Sequence, residues 1–242
     1  MTEGYRLSNV LNQYDWFGSG ALFDTDNLPP FSLTLDDLTA KFQPLGSVQP
    51  GAPRLFRAVG TYESEPGVAA KPYDIKVNHP LSIDGTSVHL IGQGYAPVIR
   101  VTDSTGAVVF DDAVPFLPTD PSYTSNGVVK VPGAKPEGLG FQGFFLPTAI
   151  TGDDGVSISA FPGAANPLLG LFVWHGDLGL DNGLPQSVYV LDKTKMKQYL
   201  APNGKGFRFP RWSNDALLPP LIVKRGIYRG IRPTQYSKKE TP

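Results

Sequence analysis

The chain of 242 residues contains no cysteine. Disulfides, thiolate metal sites and thiol redox chemistry are therefore excluded within this segment. Long apolar runs are missing too: the longest covers residues 168–174 and is interrupted by Gly170, whereas a membrane-spanning helix needs roughly 20 apolar residues. The first residues do not have the basic, apolar and small-residue order of a secretory signal. We expect neither a spanning helix nor an export signal within this sequence.

Catalytic motifs are missing as well. The sequence has no Gly-X-Ser-X-Gly nucleophile elbow, no His-Glu-X-X-His zinc motif and no phosphate-binding loop. An enzyme would have to use His79, His89 or His175, and the sequence gives none of them an evident nucleophile or metal partner. We expect a structural role for each histidine, with a haem or acceptor contact by His79 as the alternative. The chain is therefore predicted not to be an enzyme, and a glycosidase without a motif is the least favoured exception.

Charge is balanced overall but divided unevenly along the chain. Residues 1–202 carry 12 basic and 20 acidic residues, a net charge of −8, whereas residues 203–242 carry 9 and 2, a net charge of +7. We divide the chain there into a main domain, 1–202, and a basic, proline-containing tail, 203–242. Such a tail is expected to lie on or trail from the surface. Contact with anionic lipid headgroups is an alternative, and a nucleic-acid arm is least favoured, so no nucleic-acid partner is expected.

Short alternating segments dominate the main domain and predict β-strands. They cover residues 31–35, 73–77, 98–101, 108–110, 156–160 and 187–191. The sequences Asp103-Ser104-Thr105-Gly106 and Gly152-Asp153-Asp154-Gly155 are typical of hairpin turns. With 27 glycines and 24 prolines, one or two short helices are the most we expect, and residues 194–200 favour one, capped by Asp192. The prediction is an all-β fold, sandwich-like or multi-sheet, with long Pro/Gly-rich loops that include residues 115–136.

Aromatic clusters indicate a binding role. Large flat side chains build grooves for peptides or porphyrins when they gather at a surface, although the alternative is that they fill the β core. Phe144 and Phe145 are neighbours on a predicted strand, so only one of them can face the core. The candidate partner-binding residues are Trp16, Phe17, His79, Tyr95, Phe144, Phe145 and His175.

One series of motifs resembles a known family. The chain reads Asn78-His79-Pro80-Leu81, Asp84-Gly85, Gly94-Tyr95-Ala96-Pro97 and Pro115-Phe116-Leu117-Pro118 in this order. Segments such as Asp26-Asn27-Leu28-Pro29-Pro30 and Gly176-Asp177-Leu178-Gly179 extend the resemblance over residues 1 to about 200. The chain is similar to the extracytoplasmic domain of ResB-like cytochrome c biogenesis proteins, particularly of the actinobacterial type.

The resemblance implies a longer protein with membrane helices on both sides of this domain, which lies at the extracytoplasmic face of the plasma membrane. It also implies an assembly factor with three partners: a ResC/CcsA-type membrane protein, an apocytochrome c and a thioredoxin-like reductant. Haem is handled by the full complex, and this segment is expected to bind no cofactor or metal itself. We predict a non-catalytic scaffold. The alternative is a generic extracytoplasmic β-sandwich module that binds peptide or carbohydrate.

Overall fold

The computed structural model describes residues 1–14, 18, 28–180, 187–199, 207–210 and 222–226. They form two compact units. The first unit contains Met1–Lys41, Pro53–Gln93 and Arg225–Pro242, and the second contains Phe42–Ala52 and Gly94–Lys224, as far as each is described.

The first unit is built on a four-stranded sheet with the order β1-β2-β3-β4. Its strands are β1 (Arg6–Ser8), β2 (Ser32–Phe42), β3 (Pro53–Glu63) and β4 (Lys71–Lys76), and a hairpin of β5 (Leu81–Ile83) and β6 (Thr86–Val88) follows. Alternate apolar residues of these elements turn inward and form one core. Its members are Leu7, Phe31, Leu33, Leu35, Leu38, Ala58, Tyr73, Ile75, Ile83, Val88 and Leu90.

A glycine in β3 lets two polar groups of this unit meet. The Tyr73 hydroxyl donates to the Thr34 carbonyl at 2.9 Å, and a Cβ on the intervening Gly60 would lie 1.9 Å from that carbonyl oxygen. Only glycine fits there without displacing backbone. Burial raises the pKa of the Tyr73 hydroxyl well above its ordinary value, so the group stays a neutral donor.

The second unit contains a six-stranded sheet, a three-stranded sheet and a hairpin. The six-stranded sheet has the order β15-β14-β11-β10-β9, and β16 also pairs with β14. The three-stranded sheet is β17-β7-β8, and the hairpin is β12-β13. The strands are β7 (Gly94–Thr102), β8 (Val108–Ala113), β9 (Leu117–Pro118), β10 (Ser125–Val131), β11 (Leu139–Leu146), β12 (Ala149–Thr151), β13 (Ser157–Ser159), β14 (Leu168–Gly176), β15 (Met196–Tyr199), β16 (Phe207–Pro210) and β17 (Ile222–Gly226).

The core of the second unit lies between the three-stranded and six-stranded sheets. Successive side chains of a strand point to opposite faces, so only alternate residues of β10, β11 and β14 enter it. Its buried members are Tyr95, Ile99, Val101, Val114, Phe116, Val129, Val131, Ala134, Phe145, Leu169 and Leu171. We call the face of the six-stranded sheet that carries Val129, Phe145, Leu169 and Leu171 the inner face.

The all-β, multi-sheet prediction is confirmed. Among the described residues there is no α-helix, and the one helical element is a 3-10 turn at Leu11–Gln13. Both predicted hairpin turns are present, joining β7 to β8 and β12 to β13. The Asp103 carboxylate accepts hydrogen bonds from the Thr105 and Ala107 amides, and Gly106 has a φ of 84°, so local chemistry fixes this turn.

Three expectations are wrong. Residues 115–136 are not one long surface loop, because they include β9 and the central strand β10. Residues 187–191 form a turn instead of a strand, in which the Ser187 hydroxyl accepts from the Tyr189 amide. Residues 194–199 form a turn followed by β15 instead of a helix, since pairing of β15 with β14 satisfies the backbone there.

The basic segment 203–242 contains two described strands. The strand β16 pairs with Leu168–Leu171 of β14, and β17 pairs with β7. These two stretches pair with strands of the second unit, and the expectation that the segment lies on or trails from the surface stays a prediction. The division of the chain at residue 202 stays a prediction. Across the described ranges, no helix has the length and apolar character needed to span a membrane.

Candidate functional site

The described partner-binding candidates lie on separate strands and turns. Trp16 and Phe17 lie outside the described residues. His79 is in the first unit, exposed on a tight turn in which its amide donates to the Lys76 carbonyl at 2.9 Å. The intervening Asn78 has a φ of 64°, a conformation that asparagine tolerates.

Two of the predicted residues are core residues of the second unit. Tyr95 is 2% exposed, its hydroxyl donates to the Pro162 carbonyl at 2.7 Å, and its ring lies 5.1 Å from that of Phe145. Phe145 is fully buried. Their surroundings favour a packing role, and partner binding by either residue stays a prediction.

Phe144 lies on the opposite face of β11 from Phe145 and is half-buried. This confirms that only one of the two neighbours faces the core. On the same face, the register of β11 with β14 sets Phe144 opposite Gly170, Gln142 opposite Phe172, and Gly140 opposite Trp174. We call the surface formed by Phe144, Gln142, Phe172 and Trp174 the outer aromatic face. Phe172 is 41% exposed, so this face carries aromatic area in contact with water.

Glycines shape the outer aromatic face. A Cβ on Gly170 would lie 2.5 Å from the Phe144 ring, so that ring rests directly on the backbone of β14. A Cβ on Gly140 would lie 2.7 Å from Leu191. At both positions a large neighbouring side chain fills the volume that a Cβ would need, so glycine is required there. The sequence analysis named Phe144. It did not find that aromatic residues of one strand lie opposite glycines of the next, because this arrangement depends on the register between the two strands.

A segment that follows β14 covers one end of this face. We call residues 187–195 the covering segment. Leu191, Met196 and Leu178 pack with Val128 and the half-buried Trp174 in a small cluster. The Lys193 ammonium lies 5.0 Å from the centre of the Trp174 ring and donates to Gln142 Oε1 at 3.1 Å. A cation over an indole ring is attracted to the ring's negative face, so Lys193 fastens the segment to the sheet.

Three charged side chains help to hold the covering segment. Lys130 Nζ donates to the Ser187 carbonyl at 3.0 Å, and burial lowers its pKa, partly offset by Asp192. The pKa of Asp192 lies below its ordinary value, first because it accepts from the Thr194 amide. The pKa of Asp177 is lowered by the Gly179 amide and next by Lys195, whose ammonium lies 3.1 Å away. Ionised carboxylates therefore stabilise this covered arrangement.

One donor of the face has no hydrogen-bond acceptor. The indole Nε1 of Trp174 is buried and unpaired in the structure. A buried donor without an acceptor costs about 1–3 kcal/mol.

His175 belongs to a different cluster. It follows Trp174 in β14 and so points to the opposite side of the strand. Its Nδ1 lies within hydrogen-bonding distance of the Glu137 carboxylate, and its ring meets that of Tyr199 edge-on with centres 5.6 Å apart. Asp177, two residues further along the chain, binds Lys195. The fold therefore does not join His175 to Phe144 in one site.

The outer aromatic face is suited to binding. It offers half-exposed aromatic rings, an amide and an ammonium group, which fit an extended peptide or a sugar. Where residues are described, no cluster of three or more His, Cys, Asp or Glu side chains has the spacing of a metal site.

The comparisons with known proteins bear on the family. No curated protein and no solved structure matches the chain. The model of the ResB-like family matches residues 1–216, which confirms the resemblance seen in the motifs, while the actinobacterial type stays a prediction. The chain therefore belongs to the ResB-like family, and this family implies a role in cytochrome c biogenesis.

Proposed function

We propose that this chain is a non-catalytic docking scaffold in a complex that attaches haem to c-type cytochromes. The observation that carries the proposal is the family match over residues 1–216. The partners are a ResC/CcsA-type membrane protein, an apocytochrome c and a thioredoxin-like reductant. The domain lies at the extracytoplasmic face of the plasma membrane, where attachment takes place. Haem is handled by the full complex, and this segment binds none.

The outer aromatic face is the docking surface in this proposal. Its exposed ring, Phe172, lies directly opposite Gln142. Aromatic area surrounded by hydrogen-bonding groups is the pattern that dominates binding energy at protein interfaces. An extended apocytochrome segment would lay apolar side chains on Phe144 and Phe172, and its backbone would hydrogen-bond to the Gln142 amide. We choose apocytochrome c as the first partner to test because it presents such an unfolded segment.

A binding measurement tests the proposal. A fluorescent apocytochrome peptide with a Cys-X-X-Cys-His motif is titrated with the chain and with the Phe172→Asp variant. We expect saturable binding that the substitution weakens by about tenfold or more, because an aromatic anchor is worth about 2 kcal/mol. The matched control is Ile158→Asp, since Ile158 is 55% exposed on a different element, the β12-β13 hairpin.

Maturation of a c-type cytochrome in cells supplies a second readout. Phe172→Asp in the gene is expected to lower the amount of holocytochrome, with Ile158→Asp unchanged. Equal loss with both variants, or none with either, would contradict docking by this face. The second candidate function is a module that binds carbohydrate or an unrelated peptide, favoured by the pairing of Phe172 with an amide. Hits on a glycan array without apocytochrome binding would support that candidate and overturn the scaffold.

A further inference from the structure

The connection between β2 and β3 ends in an exposed, uncharged tip. We call residues 43–52 the tip loop. Its sequence, Gln-Pro-Leu-Gly-Ser-Val-Gln-Pro-Gly-Ala, contains no charged residue. Leu45 is 62% exposed and Val48 is 99% exposed. Single exposed aliphatic residues are common on protein surfaces, but two of them at the tip of an uncharged loop are unusual enough to require a reason.

The base of the tip loop is anchored within the second unit. The Phe42 ring meets those of Tyr123 and Phe161 edge-on, at centre distances of 5.6 and 6.2 Å. A Cβ on Gly51 would lie 3.0 Å from Pro162, so the loop backbone packs against that ring. The aliphatic tip is therefore presented on a fixed support.

The tip loop also satisfies much of its own backbone. The Gln43 amide donates to the Ala52 carbonyl at 2.8 Å, and the Gly51 amide returns a bond to Gln43 at 2.9 Å. Both the amide and the hydroxyl of Ser47 donate to the Pro44 carbonyl. Pro44 and Pro50 have no amide hydrogen to satisfy. A loop with few free backbone donors loses less free energy on leaving water than an ordinary loop does.

The lack of charge in the tip loop favours a lipid bilayer as its partner. Exposed aliphatic side chains on an uncharged loop can enter the acyl region of a bilayer. The ResB-like family is membrane-associated. We propose that the tip loop inserts Leu45 and Val48 into the outer part of a lipid bilayer.

A protein partner fits the tip loop less well. Protein interfaces are dominated by Trp, Tyr and Arg anchors, and the tip loop has none. A specific interface also buries about 800 Å² on each partner, far more than two aliphatic side chains supply. The β12-β13 hairpin gives an internal contrast: Ile150, Val156 and Ile158 are each more than half exposed, but its turn carries Asp153 and Asp154. Those carboxylates oppose insertion, so this hairpin serves as the control.

The absence of cysteine makes a direct test simple, because one introduced cysteine is the only site of thiol labelling. Val48→Cys and Ile158→Cys are each labelled with an environment-sensitive NBD fluorophore and mixed with vesicles of phosphatidylcholine and phosphatidylglycerol. We expect a blue shift and a severalfold rise in emission at position 48 but not at 158. Lipids that carry a quencher near the headgroup are expected to quench the probe at position 48.

Variants of the unlabelled chain give the second measurement. Leu45→Asp/Val48→Asp is expected to lower vesicle partitioning by about tenfold or more, because each lost aliphatic contact and each added charge opposes insertion. Melting curves check that every variant folds, and Leu45→Ser/Val48→Ser replaces the aspartate pair if that pair does not fold.

Several results would overturn the proposal. One is that neither probe responds at millimolar lipid. The others are that both positions respond equally, or that the loop substitutions leave vesicle partitioning unchanged. A response at position 48 that requires a membrane protein in the vesicle would assign the loop to protein docking instead. The experiment uses no apocytochrome, so its failure leaves the proposed scaffold function untouched, and loss of apocytochrome binding leaves lipid insertion untouched.

Discussion

The two faces of the six-stranded sheet are built from alternate residues of the same strands, yet their side chains meet different surroundings. On the inner face Phe145, Leu169 and Leu171 are at most 5% exposed and pack against the three-stranded sheet. On the outer face Phe172 is 41% exposed, and among the described residues the segment 187–195 covers one end. The comparison teaches that aromatic content alone does not distinguish a core from a binding surface. A face of the sheet becomes core where another element packs on it, and it stays a surface where none does.

Neighbouring phenylalanines give the largest expected difference between the faces. Phe145→Ala is expected to lower the free energy of unfolding by about 3–5 kcal/mol, because it leaves a cavity in a closed core. Phe144→Ala is expected to cost about 1 kcal/mol, since its ring is half-buried and lies at the surface. Urea unfolding of both variants measures the difference. Equal losses would mean that the outer face is as closed as the inner one.

Two glycines of the sheet differ in whether an added Cβ would meet backbone or a side chain. A Cβ on Gly143 would lie 1.9 Å from the Gly170 carbonyl oxygen, whereas a Cβ on Gly170 would meet the Phe144 ring. Backbone cannot move aside easily, so Gly143→Ala is expected to cost about 3 kcal/mol, and Gly170→Ala about 1 kcal/mol. Thermal melts of the two variants test this order, and a larger loss with Gly170→Ala would contradict it.

Acid is expected to open the outer face before the core unfolds. The folded-state pKa values of Asp177 and Asp192 lie below those of the unfolded chain. Their stabilisation is therefore fully present above the unfolded-state value of about 4 and is lost as the pH falls through the lower folded-state values. Trp174 fluorescence, measured after replacing Trp16 and Trp212 by phenylalanine, is expected to shift to the red in that range.

The matched control for this pH effect is Asp177→Asn/Asp192→Asn in the same tryptophan background. It is expected to emit at the red-shifted wavelength already at neutral pH and to lose the acid transition. An unchanged transition in this variant would show that other groups hold the covering segment.

The smallest expected effect concerns haem. His175 is engaged by Glu137 and Tyr199, and His79 is exposed on a turn, so we expect a structural role for both. Titration with haemin is expected to give no saturable Soret shift, and His79→Ala and His175→Ala are expected to change nothing. A submicromolar, saturable shift that either substitution abolishes would contradict this prediction and would make this segment a haem carrier.

Much of the fold could be predicted from the sequence, because turns and strand alternation are set by residues that are close together along the chain. The turn at residues 103–106 is fixed by its own side chain-to-backbone bonds, and alternation within strands such as β2 and β4 follows from the pleat. The candidate site was predicted only in part. Phe144 was named, but Phe172, Gln142 and Lys193 were not, because their meeting depends on the register between distant strands and on a segment that returns to cover Trp174.

The amino-acid sequence by itself determined the all-β class, the positions of the hairpin turns, the absence of thiol chemistry and the family, since each depends on composition, local order or a motif. Tertiary structure alone decided which of Phe144 and Phe145 enters the core, because a strand presents both faces equally until a second sheet packs on one. It also decided that residues 196–199 form a strand, since their pairing with β14 supplies the hydrogen bonds that local propensity cannot.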